Sequence, residues 1–307
     1  MAIEHASVQV VRKPWGVTDL RPWSDVDGSA GAVGELWFHR PDQAAPVPAL
    51  LLKLLFTSAP LSIQVHPDDT FARSMGLPNG KTEAWYILSA SPAAQVAVGL
   101  KRHLGTEELR ASIKDGSIAD LVQWRPVSKG EVIFVPAGTI HAIGAGIVLA
   151  EIQQHSDATF RLFDYGRQRE LHEDKAVAVS DAGPVEIQSV PRRLSAERMF
   201  LTASPHFVLE RIDLSANTGW VLKPDRETWV LALDGRAVIG LVAASVGAAI
   251  FIGGDRTSLQ VGADGFSGLI AYPGPDPIPS LLQDLAGHPT KLTAFSLPQL
   301  TEIEVRS

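Results

Sequence analysis

Cysteine is absent from all 307 residues. That removes disulfides, thiolate nucleophiles and thiolate metal sites together, and leaves any metal to imidazole, carboxylate and amide donors. Positive charge is in deficit, with a formal net charge of −7. Such a balance argues against nucleic acid or an anionic membrane as the main partner. Long apolar runs are missing too. The Val238–Ile252 region comes nearest, and glycines break it well short of a bilayer span. The opening Met-Ala-Ile-Glu-His-Ala-Ser has no basic region followed by an apolar stretch, so no export signal is read and a cytoplasmic protein is expected. What remains is ordinary folded chain: 45% hydrophobic, 20% charged, and long enough for one large core or two.

The chemistry concentrates between Leu61 and Trp85. Leu-Ser-Ile-Gln-Val-His-Pro-Asp-Asp spans 61–69 and Lys-Thr-Glu-Ala-Trp spans 81–85. Gln64 and His66 stand two apart in an apolar run, so a strand turns both to one face. Pro67 biases His66 towards extended backbone. Asp68 or Asp69 can cap one helical turn through Phe71 and Met75. Leu77-Pro78-Asn79-Gly80 reads as a turn. Beyond it, a strand places Lys81, Glu83 and Trp85 on one face. An amide, an imidazole, a carboxylate and an ammonium thus converge.

Elsewhere the chain alternates between short strands and Gly- or Pro-bearing turns, which means a sandwich or barrel. Ala32–His39 and Ala49–Leu55 read as strands, the latter a buried apolar run interrupted by Lys53. Thr106 is expected to cap a helix, and Leu109, Ile113, Ile118 and Leu121 suggest two short helices inserted between strands. Pro136-Ala137-Gly138-Thr139 is a turn that sets His141 on the next strand. Ile147–Gln154 returns, sharing parity among Leu149, Glu151 and Gln153. Thr159–Tyr165 carries Thr159, Arg161, Phe163 and Tyr165 on one face. A boundary is expected near Asp181–Arg193. The second half then repeats the first faintly, with Glu227-Thr228-Trp229 answering Glu83-Ala84-Trp85, and 247–252 answering 130–135. No histidine replaces His66, and Ser258 falls where His141 stands. Two related β-barrels are expected, the first chemical and the second structural.

Four motifs in order carry a family resemblance: Gln-Val-His-Pro-Asp-Asp, Lys-Thr-Glu-Ala-Trp, Pro-Ala-Gly-Thr-Ile-His-Ala-Ile-Gly, and Glu-Ile-Gln-Gln-His-Ser-Asp-Ala-Thr-Phe-Arg-Leu-Phe-Asp-Tyr. Together they resemble type I mannose-6-phosphate isomerase over about Leu61 to Arg167. The resemblance implies an all-β fold with a small helical insertion, built as two cupin-like barrels of the jelly-roll type. Residues 1–184 would form the metal-binding catalytic cupin, with its helical insert at about 103–125. Residues 185–307 would form a degenerate cupin without ligands. It also implies Zn²⁺, one per chain, on Gln64, His66, Glu83 and His141. Glu151 would be the acid or base, Arg161 the catalytic arginine, and Lys81 a substrate-binding and candidate catalytic lysine. The partner would be a small phosphorylated sugar.

The donor chemistry agrees with that reading. Two imidazoles, a carboxylate and an amide oxygen suit a divalent ion. Aldose–ketose isomerisation passes through an enediolate, whose negative oxygen a Lewis acid stabilises. The expected reaction interconverts mannose 6-phosphate and fructose 6-phosphate. Two alternatives stand beside it. His66, Glu83 and His141 alone form a two-His, one-carboxylate set that can hold Fe(II) for oxygen chemistry, and a cupin can bind a phosphosugar without turnover. Blander readings also apply: Glu83 as half of an ion pair with Lys81, and Arg161 bonded to Asp157 or Asp164. His155 and His172 are read as peripheral, and Trp85 and Trp229 as core.

Overall fold

The computed structural model describes residues 3–185 and 190–285. Part of the Asp181–Arg193 boundary therefore lies outside the described residues. Strands of the first half form two sheets. The six-stranded sheet runs, in spatial order, Ser7–Val17, Val33–His39, Leu50–Thr57, Ile147–Gln154, Glu83–Ala90 and Val132–Val135. The five-stranded sheet runs Phe160–Phe163, Ile63–Val65, His141–Ile143, Gln95–Leu100 and Val122–Pro126. Trp85, Ile87, Val96, Ile133, Ile143 and Leu149 pack together between them.

Leu50–Thr57 shows why so apolar a strand is needed: every residue of it is buried. Side chains alternate across a strand, and here both faces are covered. Leu50, Leu52, Leu54 and Phe56 join a core shared with Phe207, Leu209, Trp229 and Phe251 of the second half. Leu55 packs into the first barrel instead. Lys53 shares that inward parity, which puts a lysine in the barrel interior.

Helices cover the outer face of the five-stranded sheet. Leu109 and Ile113 of Thr106–Asp115, Ile118 of Ile118–Leu121 and Ala176 of Glu173–Val179 pack on Ile63, Val65, Ala97 and Phe160. The helical insertion is thus where the apolar spacing placed it. Its cap differs: Gly105 is the capping residue, no side chain caps the helix, and Thr106 is already helical. The other cap is as expected, with the Asp68 carboxylate accepting from the Phe71 amide at 2.7 Å.

One ten-stranded sheet builds the second half, with Glu227–Ile239 and Thr257–Pro273 as long members. It encloses its own core of Val208, Ile212, Val230, Ile250, Ile252 and Tyr272. The N-terminal strand Ile3–His5 joins this sheet by pairing with Ala249–Gly253, so the halves interlock. The internal repeat is real as a strand pattern but slips by one residue. Trp85 pairs with Ile133, whereas Trp229 pairs with Phe251, the counterpart of Phe134. A one-residue slip turns side chains to the opposite face. Trp85 accordingly points into the first barrel, while Trp229 leaves the second and packs between the halves. Glu227 follows it outward and accepts from the Ala49 amide at 2.5 Å.

Trp229 also donates its indole N–H to the Leu50 carbonyl at 3.2 Å. Trp229→Phe removes the indole N–H together with the five-membered ring, so that carbonyl loses its indole donor and some packing goes with it. Urea unfolding is expected to show a loss of about 1–3 kcal/mol with an unchanged m-value.

Candidate metal centre and active site

Cross-strand register assembles the site in rows. Trp37, Lys53, Glu151 and Trp85 are successive partners across four neighbouring strands. The next row holds Leu51, Gln153 and Glu83. From the opposing sheet, Gln64 lies between His141 and Arg161. His66 follows one residue after its strand, fixed by the Gly138 amide donating to its carbonyl at 2.8 Å. These rows and pairs surround a cavity of about 250 Å³ lined by Gln64, Lys81, Glu151, Lys53, Arg161 and neighbours.

Beneath that lining, the ligand atoms of His66, Glu83 and His141 lie within 4.8 Å of one another, and all three side chains are buried. His66 Nδ1 donates to the Ala158 carbonyl at 2.8 Å and His141 Nδ1 to the Thr139 carbonyl at 2.9 Å. Their Nε2 atoms, left as lone pairs, face the two oxygens of Glu83 at 3.4 and 3.5 Å. Burial, then Lys81 and His141, holds His66 well below its ordinary value, and burial holds His141 at about 4. Both rings are therefore neutral near neutral pH. Lone pairs directed at a buried carboxylate repel unless a cation lies among them. This donor set fits a divalent ion. The Gln64 amide borders this donor set: Nε2 lies 3.3 Å from His141 Nε2, and Ser62 Oγ lies 3.1 Å from Oε1. A half-turn of the amide would turn its oxygen toward the cluster, and Ser62 could still bond to it, since the hydroxyl accepts as well as donates.

Lys81 now supplies the positive charge, with Nζ 2.7 Å from Glu83 Oε2 and 3.1 Å from His66 Nε2. The bland ion pair with Glu83 thus exists, inside the donor cluster rather than in place of it. Burial opposes a charged Lys81, and Glu151 and Glu83 outweigh it, raising its pKa. Burial and Glu151 push Glu83 up to about 7 despite Lys81. For Glu151 burial acts upward, yet Lys81 at 3.7 Å and Lys53 at 3.6 Å hold it below the usual carboxylate value. Glu151 is a buried, ionised base candidate, with Trp85 Nε1 donating to it at 3.2 Å.

Arg161 stands in the cavity lining, and its Nε is buried without a hydrogen-bond partner. Asp164 is occupied by Arg167 at 3.1 Å and Arg169 at 2.6 Å, so the structural pairing with Arg161 does not form. Every residue expected in the site, Gln64, His66, Lys81, Glu83, His141, Glu151 and Arg161, comes to this one place. Three were not singled out. Lys53 is buried amid Glu151 and Asp157 at 3.6 and 3.8 Å and lies 4.1 Å over the Trp37 ring. Glu35 accepts from the Trp37 indole at 2.5 Å and forms an ion pair with Lys13 at 3.4 Å. His172, read as peripheral, lines the cavity. For Lys53 a signal existed: one charge in an apolar strand requires a buried partner.

No family model matches the chain. Curated relatives do. The mannose-6-phosphate isomerase of Streptococcus mutans is 37% identical over 202 residues, 62% of this chain and 63% of that protein. The mannose-6-phosphate isomerase ManA of Bacillus subtilis is 38% identical over 174 residues, 52% of this chain and 53% of that one. By sequence the chain is similar to mannose-6-phosphate isomerases over a little under two thirds of its length. A crystal structure of the mannose 6-phosphate isomerase from Bacillus subtilis superposes with a TM-score of 0.77, covering 89% of this chain and all of that one at 22% identity. The cupin-like all-β fold is therefore shared with that mannose 6-phosphate isomerase. The chain spans a little under two thirds of the first curated relative and about half of the second.

The imidazole environments set a pH dependence for the metal-free protein. As pH falls through 6.5 both imidazoles protonate in the unfolded chain, whereas folded His141 waits until about 4 and His66 lies well below 6.5. Glu83 acts the other way, protonating at about 7 in the fold against 4.5 unfolded. Two groups against one couple unfolding to net proton uptake, so stability falls as pH falls across this window. Urea midpoints of chelated protein at pH 7 and pH 5 are expected to show that decline, and His141→Gln to show a smaller one.

Proposed function

We propose that the protein is a metal-dependent aldose–ketose isomerase interconverting mannose 6-phosphate and fructose 6-phosphate. The observation that carries this reading is the pair of neutral imidazole lone pairs facing a buried carboxylate, beside an ionised second carboxylate at the cavity wall. The proposal includes zinc as the ion and the cytoplasm as the compartment. Among the described residues no helix is long and apolar enough to cross a membrane. The named activity of these relatives supports the substrate.

In this reading Gln64, His66, Glu83 and His141 hold the ion, which as a Lewis acid favours negative charge developing on the sugar oxygens. Glu151 takes the proton from C2 of the open-chain aldose, leaving an enediolate, and returns it to C1, while the hydroxyl proton passes from O2 to O1. Lys81, 3.7 Å from Glu151, donates to the enediolate oxygens and steadies the ionised base. Arg161, whose Nε has no hydrogen-bond partner, offers its guanidinium to the phosphate and the developing charge. Trp15, Leu55 and Leu61 are apolar members of an otherwise mostly polar cavity lining. The two-His, one-carboxylate set by itself suits iron-dependent oxygen chemistry. The Lys81–Glu151 pair and the kinship favour isomerisation.

A coupled assay with mannose 6-phosphate is expected to show turnover that chelation abolishes and zinc restores. Oxygen uptake without isomerisation would overturn the reading. Metal analysis beside kinetics separates the roles. His141→Ala is expected to lose metal and activity together. Arg161→Ala keeps the metal and loses about 10²–10³-fold in turnover. Glu151→Gln keeps metal and sugar binding and loses about 10²–10⁴-fold.

A further inference from the structure

Lys81 is placed differently from most of the site. Gln64, Glu83, His141, Glu151 and Arg161 sit on strands, where ladder hydrogen bonds fix each backbone. Lys81 precedes its strand, which begins at Glu83. A long side chain on a connecting segment aims only as well as its backbone is held.

Three successive amides are held nonetheless. Gly80 N–H donates to Asp69 Oδ1 at 2.8 Å, Lys81 N–H to the Pro67 carbonyl at 3.0 Å, and Thr82 N–H to Gln154 Oε1 at 3.0 Å. The two side-chain acceptors are tied to each other, since Gln154 Nε2 donates to the same Asp69 Oδ1 at 2.8 Å. Gln154 is 5% exposed. Its own backbone is anchored in the sheet that carries Glu151, and its amide donates to the Thr82 carbonyl at 3.1 Å. Only glycine fits at position 80, where a Cβ would meet the Asp68 carbonyl carbon at 2.5 Å and the Pro67 oxygen at 2.6 Å.

We propose that Gln154 and Asp69 form a clamp that positions Lys81, by fixing the amides of residues 80–82 against the strand that carries Glu151. Both are positioning residues, because neither lines the cavity and each acts through the backbone of the lysine segment. The kinetic half of this proposal rests on the isomerase reading. The geometric half does not.

The donor and acceptor pattern suggests an exchange of roles as the test. Gln154→Glu keeps the acceptor for Thr82 but opposes its carboxylate to that of Asp69. Asp69→Asn alone keeps a carbonyl oxygen for both Gly80 and Gln154. Combined, the two changes remove the opposed carboxylates. At 69 the amide oxygen still accepts from Gly80 while the amide nitrogen turns to donate to the carboxylate at 154, dividing between two atoms what Asp69 Oδ1 does alone in the parent. Full-length zinc-loaded protein is used throughout, with amide hydrogen exchange, zinc content and steady-state kinetics as readouts. Gln154→Glu is expected to speed exchange at 80–82 by about tenfold or more and to lower kcat by about tenfold or more. KM is expected to stay within about threefold, with zinc at one per chain. Asp69→Asn and the double variant are expected to stay near the parent in both exchange and kcat. Parental exchange and kcat in Gln154→Glu would overturn the clamp, as would failure of the double variant to recover. A fall in kcat that tracks lost zinc would overturn it as well. A parent without turnover would remove the isomerase reading, and the exchange pattern alone would then decide the clamp.

Discussion

Two uncharged imidazoles aimed at a buried carboxylate form an arrangement that repels itself until a cation enters. The carbonyls of Ala158 and Thr139 impose it by claiming the Nδ1 protons, which leaves Nε2 as the free lone pair on each ring. The Lys81 ammonium meets that demand here, and the same donors suit a divalent ion. Much of the surrounding charge follows from this requirement. A buried cationic centre needs anionic neighbours, and Glu151 is kept ionised in turn by two lysines.

The fold meets the requirement by burying one sheet on both faces. Leu50–Thr57 sends alternate residues to the barrel interior and to the core shared with the second half. That shared core makes the second half a support for the site even though it holds no metal-ligating cluster of its own among the described residues. Tyr86, on the strand that carries Glu83 and Trp85, receives a hydrogen bond from Arg211 at 3.1 Å, and the Ala49 amide donates to Glu227. The sheet that presents Lys53, Glu151 and Glu83 inward is therefore held from behind by polar bonds as well as by apolar packing.

Several parts of this were legible in the chain. Strand parity put Glu83 with Trp85, because alternation is local and needs no knowledge of partners. His66 and Lys81 lie just outside the strands expected to carry them, and tertiary contacts bring them to the same site. The helical insertion showed itself in apolar spacing, and the Asp68 cap in its residue type. Other features were hidden for a physical reason. The outward turn of Glu227 depends on a one-residue difference in pairing between Glu227–Ile239 and Ala249–Gly253, relative to Glu83–Ala90 and Val132–Val135. Repeat alignment is blind to such a slip. Lys53 was visible as an anomaly, but its partners Glu35, Glu151 and Asp157 come from three separate stretches.

The sequence by itself determined which donors exist and which of them share a face. It excluded thiolates and made imidazole, carboxylate and amide the available ligands, and it placed them in motifs that resemble those of a known family. Tertiary structure alone decided which faces meet. It matched Lys53 to Glu151 across neighbouring strands, freed Arg161 by giving Asp164 two other arginines, and joined Gln154 to Asp69 across 85 residues of chain. Side-chain type and parity are set within a few bonds of each residue. Register between strands far apart in the chain is set only when the whole barrel closes.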